Sequence, residues 1–144
     1  MNRDAAADLL ARLHQSQGEF YAGGSEAAVR ALLTDDVAWH VPGTSLIAGD
    51  YRGIADVLAY FTRRRDLAGR TMRMHPRELL VGDGSHIASM TDGTATIGAA
   101  EHSWSTLGLY RIDHDRVAEC WLLPLDPGAF DRIWSSRREG PPGS

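Results

Sequence analysis

The apolar pattern of this chain changes period once, near residue 70, and that change limits the class of fold open to it. Before it, apolar residues recur mainly at three- and four-residue spacing, as in helices with one buried face. After it they recur at every second position, as in strands. Helices followed by an antiparallel meander make an α+β domain in which one face of a curved sheet wraps the helices. The expected form is a cone-shaped α+β barrel with an internal apolar pocket.

Residues 4 to 22 place Ala5, Leu9, Leu10, Leu13, Gln17, Phe20 and Tyr21 on one helical face. Gly23-Gly24 ends this helix, and Ser25 caps a short second one with apolar positions Ala28, Val29, Leu32 and Leu33. Val37 to Val41 reads as a strand stopped by Pro42-Gly43. Thr44 to Gly53 is turn-rich and leads into a third helix with Ile54, Val57, Leu58 and Phe61 on one face. Arg63-Arg64-Arg65 falls at that helix's end, where cations complement the dipole, so the triplet reads as a solvated helix end or, alternatively, an anion-binding patch. Strands are expected from Thr71 to Val81, His86 to Ile97, His102 to Ile112 and Arg116 to Leu125. Pro76 marks a bulge or an edge in the first of these. A short helix, Asp126 to Trp134, then pairs Phe130 with Trp134. One domain over residues 1–138 and a disordered tail over 139–144 complete the expected organisation.

All 15 basic residues are arginine, which excludes Schiff-base catalysis and a phosphate-cradling loop ending in Gly-Lys-Ser/Thr. Cys120 is the single cysteine, so no intramolecular disulfide, Cys-x-x-Cys redox pair or cysteine-based zinc site is available. His14, His75, His86 and His114 read as surface or turn residues without metal-ligand spacing, and neither metal nor cofactor is expected. The 19 acidic residues outnumber the basic ones, for a net charge of −4, which argues against a nucleic-acid partner. No run of about 18 apolar residues occurs, and the amino terminus reads as an amphipathic helix rather than a signal peptide. A cytoplasmic protein with no membrane partner is therefore expected.

Four segments carry a family resemblance: Leu33 to Gly43, Ala48-Gly49-Asp50-Tyr51-Arg52-Gly53, Leu109-Tyr110-Arg111-Ile112 and Val117-Ala118-Glu119-Cys120-Trp121. Together they resemble the SnoaL-like polyketide cyclases of the nuclear transport factor two-like superfamily, which also holds ketosteroid isomerases and limonene epoxide hydrolases. The resemblance spans roughly residues 5 to 134. It implies a hydrophobic small-molecule pocket and a homodimer joined through the outer sheet faces. In this alignment a ketosteroid isomerase would carry its general base at Val41, its neutral aspartic acid at Gly108 and its tyrosine at Gln17, and none of these is preserved. The acid/base pair of a SnoaL-type aldol cyclase would fall near Gly108 and Leu122, which cannot transfer protons.

Strand parity combined with the resemblance assigns Trp39, Val41, Trp104, Thr106, Tyr110, Cys120 and Leu122 to the pocket, closed by Phe20, Leu58 and Phe61. The alternative is that they only fill the core. Tyr110 and Thr106 would bond a substrate carbonyl, and Gln17 would add an amide. His40 with Asp50 is either a catalytic pair or a pin between loop and strand. His102 is placed at the cavity rim, and Glu119, on the Trp121 face, at the interface. The expected function is a cyclase of secondary metabolism acting on a polyketide-like, largely apolar substrate, mainly by folding it for ring closure, cycloaddition-type closure included. The competing readings are a non-catalytic small-molecule-binding protein and an epoxide hydrolase or isomerase. For the hydrolase, Arg111, Asp92 and Asp126 would have to supply the network. The homodimer face is expected to carry Leu107, Leu109, Trp121 and Leu123.

Overall fold

The structure, a computed structural model, describes residues 2–135. The expected tail and the last residues of the expected domain lie outside this range. Helix α1 (Arg3–Tyr21) begins at Asn2, whose side chain accepts a hydrogen bond from the Ala5 amide at 2.8 Å. It buries Ala6, Leu9, Leu10, Leu13, Gln17, Phe20 and Tyr21, and stops at Gly23, whose φ of 106° suits glycine. Helix α2 (Ala27–Ala31) is shorter than expected, because Leu32 and Leu33 already belong to the sheet's hydrogen bonding. Strand β1 (Leu33–Val41) starts four residues earlier than its alternation suggests. Its partner is the distant β6 (Arg116–Pro124), with Leu33 opposite Val117 and a register shift before Ala38.

The turn-rich segment contains a strand that its composition hides. β2 (Gly49–Arg52) pairs antiparallel with β1, and Gly53 at φ 86° turns the chain into α3 (Ile54–Leu67). Strands β3 (Arg73–Val81), β4 (His86–Ile97) and β5 (Ala100–Asp113) form with β6 the expected meander. Pro76 sits at a register shift on β3, an edge strand, where a missing amide donor is tolerated. The sheet order is β2-β1-β6-β5-β4-β3, so the curved six-stranded sheet stays open. Helices α1 and α3 fill its hollow, with α4 (Pro127–Ser135) packed beside them. Among the described residues, no helix is long and apolar enough to cross a membrane.

Candidate functional site

Beneath the sheet lies a cavity of about 40 Å³, space for a few waters, walled by α1, α3 and strands β1 and β3 to β6. Seven of the expected pocket residues meet there: Gln17, Trp39, Phe61, Trp104, Thr106, Tyr110 and Leu122. Their rings interlock edge to face, Trp39 at 5.0 Å from Phe61 and 6.0 Å from Tyr110, and Trp104 at 5.2 Å from Trp134. This interlocking, together with α4, is why the hollow is far smaller than an open cone. Val41, Leu58, Cys120 and Phe20 are buried but do not line the cavity. Val41 instead borders a separate groove with Thr44, Ser45 and Ala48, past the end of β1. His102 also lies elsewhere, in a polar groove with Thr71, Thr94 and Glu101.

Tyr110 owes its position to a glycine. A Cβ on Gly108, two residues earlier on the same strand face, would stand 2.8 Å from the Tyr110 hydroxyl. The tyrosine hydroxyl therefore occupies the space that a side chain at position 108 would need. Gly93 likewise leaves room for the Trp104 indole. Burial pushes the phenol of Tyr21 up to about 12 and that of Tyr110 well above its ordinary range. Both are neutral hydroxyls at physiological pH, able to donate a hydrogen bond without charge. Burial also pushes the Cys120 thiol up, which makes it an inert core group facing Tyr110.

The arginine triplet is not a solvated helix end throughout. Arg64 lies on the buried face of α3, one turn beyond Tyr60 and Phe61, and is only 5% exposed. Its guanidinium is 4.5 Å from the Trp134 ring centre, 5.8 Å from that of Tyr60 and 6.0 Å from that of Tyr21. One nitrogen, Nη1, donates to the Tyr60 hydroxyl at 3.2 Å. The other two, Nε and Nη2, are buried and have no acceptor among the described residues. No described carboxylate shares the cavity wall with it.

His14, expected at the surface, is also buried, at 9% exposure, and desolvation lowers its pKa to about 4. It stands with Met74 between the cavity and an outer groove of about 470 Å³ that runs between α1 and β3. The groove floor is largely apolar, built from Leu10, Ala11, Pro76 and Leu79. Sequence reasoning put His14 at the surface and treated Arg64 only as one of a triplet at a helix end, although helical period carried the signal that both face inward. Positions 10, 14, 17 and 21 form one stripe on α1, and positions 57, 61 and 64 one stripe on α3.

His40 and Asp50 do meet, but away from the cavity. His40 alternates with Trp39, so its ring lies on the opposite sheet face, stacked on Trp121 at 5.5 Å. There Nδ1 is 2.6 Å from Asp50 and Nε2 is 2.5 Å from Glu119, which also accepts from Arg111 at 3.3 Å. Desolvation opposes protonation of His40, yet the two carboxylates outweigh it and raise its pKa. Glu119 is held below its ordinary value because its bonds to His40 and Arg111 outweigh its own desolvation. The residues considered for an epoxide-hydrolase network are likewise apart from the cavity. Arg111 is taken by Glu119, and Asp92 by Arg77 at 2.8 Å and Ser105 at 2.6 Å.

Helices seated in an open six-stranded sheet, over a small aromatic cavity, give the chain the fold of the NTF2-like proteins. It belongs to the SnoaL-like domain family, whose family model matches residues 4–120. Among solved structures it is similar to Bal32a from a soil-derived mobile gene cassette, at 23% identity and TM-score 0.78, covering 89% of this chain and 98% of that one. It is also similar to TerC co-crystallised with polyporic acid, at 15% identity and TM-score 0.74, covering 92% and 99%. A proposed polyketide cyclase from Sinorhizobium meliloti matches at 13% identity and TM-score 0.64, covering 80% and 93%. At these identities the likeness is one of fold. No curated protein matches the chain significantly.

Proposed function

We propose that the chain is a cytoplasmic small-molecule cyclase that closes a ring in a polyketide-like, largely apolar substrate. The observation that carries this reading is the convergence of Gln17, Thr106 and Tyr110 on a cavity otherwise walled by Trp39, Phe61 and Trp104. A few fixed polar groups in an aromatic hollow orient a flat substrate and leave its apolar body to dispersion. The adjoining groove supplies the volume that the cavity lacks, since Met74, a flexible side chain, stands at their junction. TerC, which shares the fold and was co-crystallised with polyporic acid, supports a small-molecule ligand for this architecture. The proposed cyclase of the same fold supports the reaction class.

Catalysis would rest on holding the substrate in a reactive conformer, with the Tyr110 hydroxyl donating to a carbonyl oxygen as charge develops there. A second reading, a binding protein without catalysis, is favoured by one feature. No carboxylate lines the cavity among the described residues, and His14 is neutral there at physiological pH. Titration with a flat polyketide-like ligand, read by tryptophan fluorescence, tests both. Trp104→Ala should weaken binding by about 1.5 kcal/mol or more. Tyr110→Phe should leave affinity near wild type and slow turnover if the hydroxyl acts in the transition state. Binding unaffected by Trp104→Ala would overturn the pocket assignment, and binding without any turnover would favour the second reading.

A further inference from the structure

We propose that Arg64 anchors an anionic oxygen pair, so that the ligand of this cavity is an acid: a flat apolar body ending in a carboxylate or an equivalent pair of oxygens. This rests on the small-molecule pocket reading and specifies its ligand class. Three observations lead to it.

The first is an unbalanced charge. A guanidinium stays protonated at any physiological pH, and burying it without an anion is costly. Folded chains normally avoid this by pairing, yet no ion pair to Arg64 exists among the described residues, and Tyr60 and Tyr21, which hold it by hydrogen bonding and ring contact, are neutral phenols that leave its charge unbalanced. The second is the identity of the free donors. Nε and Nη2 are neighbouring nitrogens on one edge of the guanidinium plane, the fork that grips two oxygens of one carboxylate. The third is orientation. Nη1 is tied to Tyr60 and the indole of Trp134 packs at 4.5 Å, so the fork is held in place before any ligand arrives.

Arg64 shares the cavity wall with Gln17, Thr106 and Tyr110, which places the acid group and the carbonyl-binding groups within one ligand. The two free nitrogens are closed to solvent in this state, so the acid enters as lining side chains give way. Met72 and Met74, unbranched and adaptable, line the same cavity.

Calorimetric titration of the whole chain at pH 7 with matched pairs tests the proposal. One pair is 2-naphthoate and its methyl ester; the other is 2-hydroxy-1,4-naphthoquinone, an acidic oxygen pair, and its methyl ether. Wild type should bind at least one acid tenfold or more tightly than its neutral partner, and the preferred pair says which oxygen arrangement is recognised. Arg64→Met should abolish that preference while leaving the neutral partner within about twofold. Arg64→Lys, which keeps the charge and loses the fork, should retain only part of it. Equal binding of acid and ester by wild type, an arm that needs no variant to fold, would overturn the assignment of Arg64 alone. A preference surviving in folded Arg64→Met would do the same. Failure of all four compounds to bind would overturn the pocket reading and this proposal with it.

Discussion

The Arg64 guanidinium packs over the Trp134 indole at 4.5 Å, which ties the last turns of α3 to α4 through a buried charge. A cation over indole stabilises by about 0.5 to 2 kcal/mol, while an unpaired buried guanidinium costs several. The balance favours removal. Arg64→Met should leave the melting temperature of the ligand-free protein unchanged or raise it. A fall of several degrees, seen by calorimetry, would show that Arg64 serves the fold rather than a ligand.

Tyr110 and Gly108 make a second coupled pair. Gly108→Ala places a methyl 2.8 Å from a buried hydroxyl whose ring is confined by Trp39. The expected cost is about 1 to 3 kcal/mol, the usual range for overpacking. Chemical denaturation measures it, and a change below about 0.5 kcal/mol would mean that Tyr110 is free to move aside.

The His40 network should show a window in its pH dependence. His40 has a raised pKa in the folded state, so its contribution is complete below the ordinary value of 6.5 and fades as pH rises through the raised value. Glu119 has a lowered one, so its contribution is present above the ordinary 4.5 and fades as pH falls through the lowered value. The network is therefore strongest between these ordinary values. Glu119→Gln should cost about 1 to 3 kcal/mol there, and Asp50→Asn less, since Asp50 is two-thirds exposed. If instead Asp50→Asn abolishes turnover at unchanged stability, the pair is catalytic.

His14 should act with the opposite sign. Its folded pKa of about 4 lies below the ordinary 6.5, so the unfolded chain binds the extra proton in between. Stability is then lost as pH falls across that interval, by up to about 3 kcal/mol. Comparing wild type with His14→Gln by denaturation at pH 7 and pH 4.5 isolates the term. An identical pH slope in both proteins would contradict it.

Association through the outer sheet face remains the expected use of its apolar side chains. Leu107, Leu109 and Trp121 are partly exposed there, and Leu123 is 43% exposed. Sedimentation at micromolar concentration should show about twice the chain mass, reduced to one by Trp121→Asp. A monomeric wild type would remove the idea.

Local pattern determined much of this protein from sequence alone. Alternation along β4, β5 and β6 and the helical stripes of α1 and α3 reflect which side of each element meets the core, a property that neighbouring residues carry among themselves. The same alternation separates Trp39 from His40, and it places Trp104, Thr106 and Tyr110 on the face that lines the cavity. What local pattern does not contain is partnership across the chain. β2 is four residues of mixed polarity and exists as a strand because β1 lies beside it, and β1 begins early because β6 runs parallel to it. His40 shows the same limit, since its second carboxylate comes from Glu119, 79 residues away. Arg64 shows it most clearly. Its helical position put it on the inner face, but the rings of Tyr21 from α1 and Trp134 from α4, brought over it by the tertiary packing, made it a buried cation with two unused donors, because burial is decided by what covers a side chain.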